Sequence, residues 1–226
     1  MIFGSKIFDR NTLKIIAMLS MMIDHIGRFY DGVAYIILVD IIGRIAFPIF
    51  LFLLVDGYFR TKNKTKHIID LLLFAVISEP IHDKFFYGQW LYLEQQNVLF
   101  TLALCWILLI ALDKVSIIKD KPIKIASIFF ITVLFCIIAR YYHLNYDICA
   151  IIGCTLIYLA KDYGFYGFCG LESILYSTPC CSLAIPFIAL YNPYKPCIFN
   201  KTVKYIFYVF YPIHLYLLYS IQAICF

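Results

Sequence analysis

Apolar residues run in long blocks, separated by short polar stretches, almost from one end of the chain to the other. A helix needs about 20 mostly apolar residues to cross the hydrocarbon of a bilayer, and the polar linkers here are too short to form a separate domain. The pattern predicts an all-α, polytopic transmembrane helix bundle, with residues 1–226 as a single integral membrane domain. A first span is expected from about Leu13 to Tyr30, a second from about Ala34 to Tyr58, and a third from about His67 through Glu79-Pro80-Ile81-His82. Further spans follow over about Asn97 to Leu112, Ile125 to Ala139, Tyr146 to Ala160 and Lys204 to Ile221. Residues 163 to 192 form either one span or a short hairpin of two. The hairpin keeps the loop with Lys195, Lys201 and Lys204 on the same side as the other basic loops, so about nine spans are expected, with eight as the alternative.

Composition excludes a soluble domain: 63% of the residues are apolar, 15% are charged, and the mean hydropathy is +0.86. The first apolar run is expected to stay in the mature protein, because it contains Asp24 and His25 and no small-x-small cleavage site follows it. The formal charge of +5 comes from bases gathered in a few short loops, above all Arg60 to Lys66 and Asp113 to Lys124. That asymmetry reads as a topology signal, with the amino terminus cytoplasmic and the lipid bilayer as partner, and it requires no nucleic acid. Five of the nine cysteines fall within apolar spans, where they serve as small hydrophobes. No Cys-x-x-Cys pair or Cys/His ligand spacing occurs, so neither a metal nor a structural disulfide is expected. Gly-rich phosphate-binding fingerprints are absent as well.

Charged side chains inside a span cost about 2.5–3.5 kcal/mol at its centre on insertion scales, so they usually face a protein interior or a water-filled cavity. Lys14, Asp24, His25, Arg28, Asp40, Arg44, Asp56, Asp70, Glu79, His82 and His214 are too many such groups for packing alone. Asp24 and Arg28 are four apart with the acid first, as are Asp40 and Arg44, and either couple can be a local ion pair. Arg44 lies deeper and can instead hold a phosphate or carboxylate. His25 sits about 100° around the helix from Asp24, so a partner for its ring is expected from another helix. His214 follows Pro212 by two residues. It can satisfy backbone opened by the proline or face a central cavity.

The segments LKIIAMLSMMIDHIGRFY, GRIAFPIFLFLLVDGYFRT, QNVLFTLAL, YNPYKP and KYIFYVFYPIHL occur in that order along the chain. Together they resemble the successive signatures of the TraX family, named for the membrane protein that acetylates the conjugative pilin subunit. Pro193 and Pro196 stand where the family commonly has glycines, and His82 is a further departure. Lys14, eleven residues before His25, is also similar to the basic residue that precedes histidine in the first helix of acyltransferase type-three membrane proteins. The resemblance implies a transmembrane acyltransferase of the bacterial cytoplasmic (inner) membrane that uses acetyl-coenzyme A or another acyl-coenzyme A. His25 would be the general base, with Asp24 and Arg44 as further catalytic groups. Lys14, Arg28, Asp40, Asn97 and His214 would bind substrate or coenzyme, and the acceptor would be a protein amino terminus, a sugar or a lipid head group. From a different class, the same buried charges suit a proton-coupled transporter or permease, or a non-catalytic assembly subunit.

Overall fold

A computed structural model describes residues 7–163, 179–196 and 203–225. Among these residues the chain is helical, with two isolated β-bridges, Phe8 to Tyr191 and Gln96 to Leu144. The helices are α1 (Arg10–Gly27), α2 (the continuous run Gly32–Arg60), α3 (Lys64–Tyr87), α4 (Val98–Ser116), α5 (Lys121–Tyr141), α6 (Asp147–Tyr163), α7 (Ala184–Ala189) and α8 (Val203–Cys225). Four of their starts are fixed by side-chain caps that accept an otherwise orphaned backbone N–H. Asp9 accepts from Thr12 N at 2.7 Å, Asn63 from Lys66 N at 2.8 Å, Asn97 from Leu99 N at 2.9 Å and Asp120 from Ile123 N at 2.9 Å. Gly88 ends α3 in the left-handed region, at φ 72°, and donates its N–H to Lys84 O.

Among the described residues, four helices are long and apolar enough to cross a membrane: Gly32–Arg60, Val98–Ser116, Lys121–Tyr141 and Tyr205–Ile224. Helices α1 and α3 have the length but carry charged groups along their apolar runs. Nine spans is too high a count. Of the expected hairpin, residues 164–178 lie outside the described residues, and the rest is a turn of 3₁₀ helix, Pro179–Leu183, followed by the six-residue α7. Six residues rise about 9 Å at 1.5 Å each, far short of a hydrocarbon core about 30 Å thick.

The chain divides into two compact units, Met1–Leu53 with Cys169–Phe226, and Leu54–Phe168. In the first, α1 turns Leu13, Ala17, Ser20 and Gly27 inward at helical spacing and packs against the start of α2. There α2 departs from regular pitch: residues Ile36–Ile42 form a π-helix and Gly43–Ile45 a 3₁₀ turn before α-helix resumes at Ala46. Such irregular pitch leaves carbonyls without their usual partners. Ser20 of α1 fills one such place, donating its hydroxyl to Ile42 O at 2.6 Å. Helix α8 packs on α1, and the segment around Phe8 pairs with Leu190 to Asn192.

In the second unit α3 to α6 pack in sequence, with α4 at the centre. Trp106 of α4 is fully buried and donates its indole N–H to Lys64 O at 3.1 Å. Cys105 and Cys154 are buried free thiols, each within 3.7 Å of a backbone carbonyl on the facing helix. Helix α5 buries little of itself: Phe129, Phe130, Leu134 and Ile137 are exposed along its outer side. A row of large apolar groups left open to the surroundings suits contact with lipid chains.

Candidate functional site

The last turn of α1 and the middle of α8 bring together two histidines 189 positions apart. His25 Nδ1 lies 2.8 Å from His214 Nε2, and His214 Nδ1 lies 2.8 Å from Phe210 O. The two imidazole planes differ by 7° with centroids 5.0 Å apart. This is the geometry of rings meeting edge to edge in one plane, so the short N···N contact points along a lone pair. Both rings are buried, His25 at 7% and His214 at 3% exposure. Phe210 stacks on His214 at 4.6 Å between centroids, and Tyr211 meets it edgewise at 5.6 Å, which fixes the ring.

These contacts determine the tautomers of a neutral pair. A carbonyl oxygen only accepts, so His214 Nδ1 carries the hydrogen and its Nε2 is an acceptor. His25 Nδ1 is then the donor to His214, and the free lone pair of His25 is on Nε2. One nitrogen of His214 thus serves the backbone of the proline-containing helix α8 while the other serves His25.

Asp24 flanks the pair without orienting it: its Oδ2 is 3.8 Å from His25 Nε2, beyond hydrogen-bond length. Arg28 Nη2 approaches the same oxygen at 3.4 Å, and both Arg28 and Arg44 act on the Asp24 charge. Arg44 Nη2 is 3.4 Å from Asp40 Oδ1, a loose contact across the junction of π and 3₁₀ pitch. Asp24, His25, Arg28, Asp40, Arg44 and His214 therefore all belong to the first unit. The glycines let these helices meet. A Cβ on Gly43 would stand 2.6 Å from Asp24 Cβ, and one on Gly27 would stand 2.7 Å from Leu38 Cβ.

Two other candidates are placed differently. Lys14 sits over the ring of Phe207 at 4.6 Å, a cation–π contact that ties α1 to α8. Asn97 belongs to the second unit and is wholly buried. Its side-chain nitrogen donates to Ala75 O at 2.8 Å and to Glu79 Oε2, and its oxygen accepts from Leu99 N. With both amide hydrogens used, its work is to cap α4 and bind it to α3. Sequence reasoning left several contributors unread: Ser20, the close approaches at Gly27 and Gly43, and Asp83, which is fully buried beside His82. A glycine within an apolar helical run was the available signal for Gly43.

Comparison with known proteins finds similarity over almost the whole chain. A family model described as TraX protein matches residues 9–222. The probable fimbrial assembly protein FimC, serogroup H1, of Dichelobacter nodosus is 29% identical over 239 aligned positions, covering 94% of this chain and 95% of that protein. No solved structure matches. The order of motifs, the helical membrane architecture and a family match over almost the whole length lead to one conclusion: the chain belongs to the TraX family.

Proposed function

We propose that this protein is a transmembrane acyltransferase that moves an acetyl group from acetyl-coenzyme A to an amine or hydroxyl, with His25 as general base. The observation supporting it is the chain of contacts from Phe210 O through His214 to His25, which leaves a basic nitrogen, Nε2, on a buried and rigidly held ring. As the acceptor attacks the thioester carbonyl, its N–H or O–H proton passes to His25 Nε2. The new bond to carbon forms and a tetrahedral oxyanion develops. The C–S bond then breaks, and His25 returns the proton to the departing thiolate. His214 accepts from His25 Nδ1–H throughout and steadies the imidazolium. Arg44, whose charge acts on Asp24 beside His25, is the cation assigned to meet the oxyanion or a coenzyme phosphate. General-base catalysis of this kind contributes about 10²–10⁴-fold.

The relative from Dichelobacter nodosus is named for fimbrial assembly, and the family takes its name from a pilin-acetylating protein. We therefore take a pilus subunit as the first acceptor to test, with the inner membrane as the site of action and the amino terminus cytoplasmic. Membrane vesicles holding the protein, supplied with radiolabelled acetyl-coenzyme A and such a subunit, should transfer label. The His25→Ala variant should insert normally and lose about 10²–10⁴-fold of the rate. Full turnover by His25→Ala would remove His25 from the mechanism. Solute flux driven by a proton gradient, without label transfer, would replace the enzyme by a transporter.

A further inference from the structure

A second cluster of ionisable groups lies at the end of α3, within the second unit. Glu79, His82 and Asp83 occupy positions i, i+3 and i+4, which share one face of a helix. Each offers a ligand atom, and these atoms lie within 4.8 Å of one another. We propose that Glu79, His82 and Asp83 bind one divalent transition-metal ion.

The electrostatics of the cluster call for a cation. His82 and Asp83 are buried at 2% and 0% exposure. The partners of Glu79 are the backbone and side-chain N–H groups of Asn97, and the charge acting on it is that of Asp83, of the same sign. Asp83 is met by His82 Nδ1 at 3.1 Å and by Tyr92 N at 2.7 Å. Two carboxylates in a largely dry site thus have one imidazole between them and no lysine or arginine in contact with either, among the described residues. Buried charges are ordinarily paired or bound to metal.

Geometry points the same way. Glu79 Oε1 is buried and has no hydrogen-bond partner, whether it is a carboxylate oxygen or a protonated hydroxyl. Its sister oxygen Oε2 is held by Asn97, and Asp83 Oδ2 is held by Tyr92 N. Each carboxylate therefore has one oxygen anchored by a neighbouring N–H, the arrangement by which outer contacts orient metal ligands, while Asp83 Oδ1 meets His82 and Glu79 Oε1 is left to accept a ligand bond. Bonds of about 2.1 Å at angles between octahedral and tetrahedral separate neighbouring ligand atoms by about 3.0–3.4 Å. The His82 Nδ1 to Asp83 Oδ1 distance of 3.1 Å already falls there.

Two carboxylates and one imidazole suit a first-row transition ion, either the borderline Zn²⁺ or the harder Mn²⁺, which accepts a nitrogen ligand beside its oxygens. Calcium and magnesium favour oxygen ligands throughout. Three protein ligands leave coordination positions open. Because Tyr92 and Asn97 hold the ligand carboxylates, the ion would also join the end of α3 to the loop that leads into α4.

The test uses the full-length protein in detergent, stripped with chelator and then titrated with Zn²⁺ or Mn²⁺. About one ion per chain should bind, and Glu79→Gln and Asp83→Asn should each weaken binding by at least about 100-fold. Mn²⁺ on the wild type should show the nitrogen hyperfine coupling of one imidazole, lost in His82→Gln. A stripped, monodisperse wild type that takes up neither ion overturns the proposal, as does binding that the folded variants leave unchanged. If the variants aggregate, the wild-type spectrum decides: Mn²⁺ bound without a nitrogen ligand overturns it. The readouts are independent of acyl transfer, so this site and the histidine pair stand or fall separately.

Discussion

In the proposed mechanism His25 works through the nitrogen that lacks the hydrogen, and its contact with His214 sets which nitrogen that is. A side chain that acts through another should change turnover more than binding. Replacing His214 with Ala should lower kcat by about 10–10³-fold with little change in KM, less than the loss of His25 itself. His214→Gln, whose amide oxygen can accept from His25 Nδ1–H, should recover part of that rate. Steady-state kinetics on the three proteins decides it: a KM effect alone, or no rescue by Gln, would make His214 a binding or packing residue. The candidacy of each histidine was legible in the sequence, because an ionisable group inside an apolar run has few cheap explanations. Their partnership was not. Spacing rules reach three or four residues along a helix, whereas this contact joins positions 189 apart. Asn97 shows the opposite failure: its place after an aromatic loop looks available for chemistry, yet the start of α4 needs it as a cap.

For the elements, hydropathy and capping residues locate most helices to within a few residues, since burial and orphaned N–H groups act locally. The pitch inside an element is harder to read. The run Ile36-Ile37-Leu38-Val39-Asp40-Ile41-Ile42 is apolar nearly all round, so its sequence does not distinguish regular from π-helical winding. Yet that winding sets where Asp40, Gly43 and Arg44 face α1. Gly43→Ala would drive a methyl group into Asp24, at a junction where backbone sits against side chain. A loss of about 1–3 kcal/mol in stability is expected, seen as a lower unfolding midpoint in detergent, together with lower transferase activity because Asp24 adjoins His25. Gly27→Ala should cost a similar amount against Leu38 and Val39. An unchanged midpoint for both would mean that the helices separate at little cost.

Over the whole molecule, the pattern of apolar blocks and the composition together pointed to a helical membrane protein, and the described residues are helical. The count of nine spans is too high: the hairpin over residues 163 to 192 was favoured because it keeps the basic loops on one side, yet α7 is too short for a crossing. The outer face of α5 offers a direct check on the membrane assignment. Phe130, 68% exposed, should tolerate Leu but not Arg: near the middle of a lipid-facing helix, Arg costs about 2.5–3.5 kcal/mol on insertion scales. Phe130→Arg should therefore reduce the fraction of α5 inserted in a glycosylation-reporter assay, and full insertion would show that this face meets protein or water.

The separation of the paired histidines also has a temporal side. His214 is added 189 residues after His25, about 10–40 s later at an elongation rate of about 5–20 residues per second. Throughout that interval His25 Nδ1 lacks the acceptor that His214 supplies. On the proposed mechanism, a chain that has not yet reached α8 holds its base without the contact that fixes the tautomer, so it should react more slowly than the assembled pair, as is expected of the His214→Ala variant.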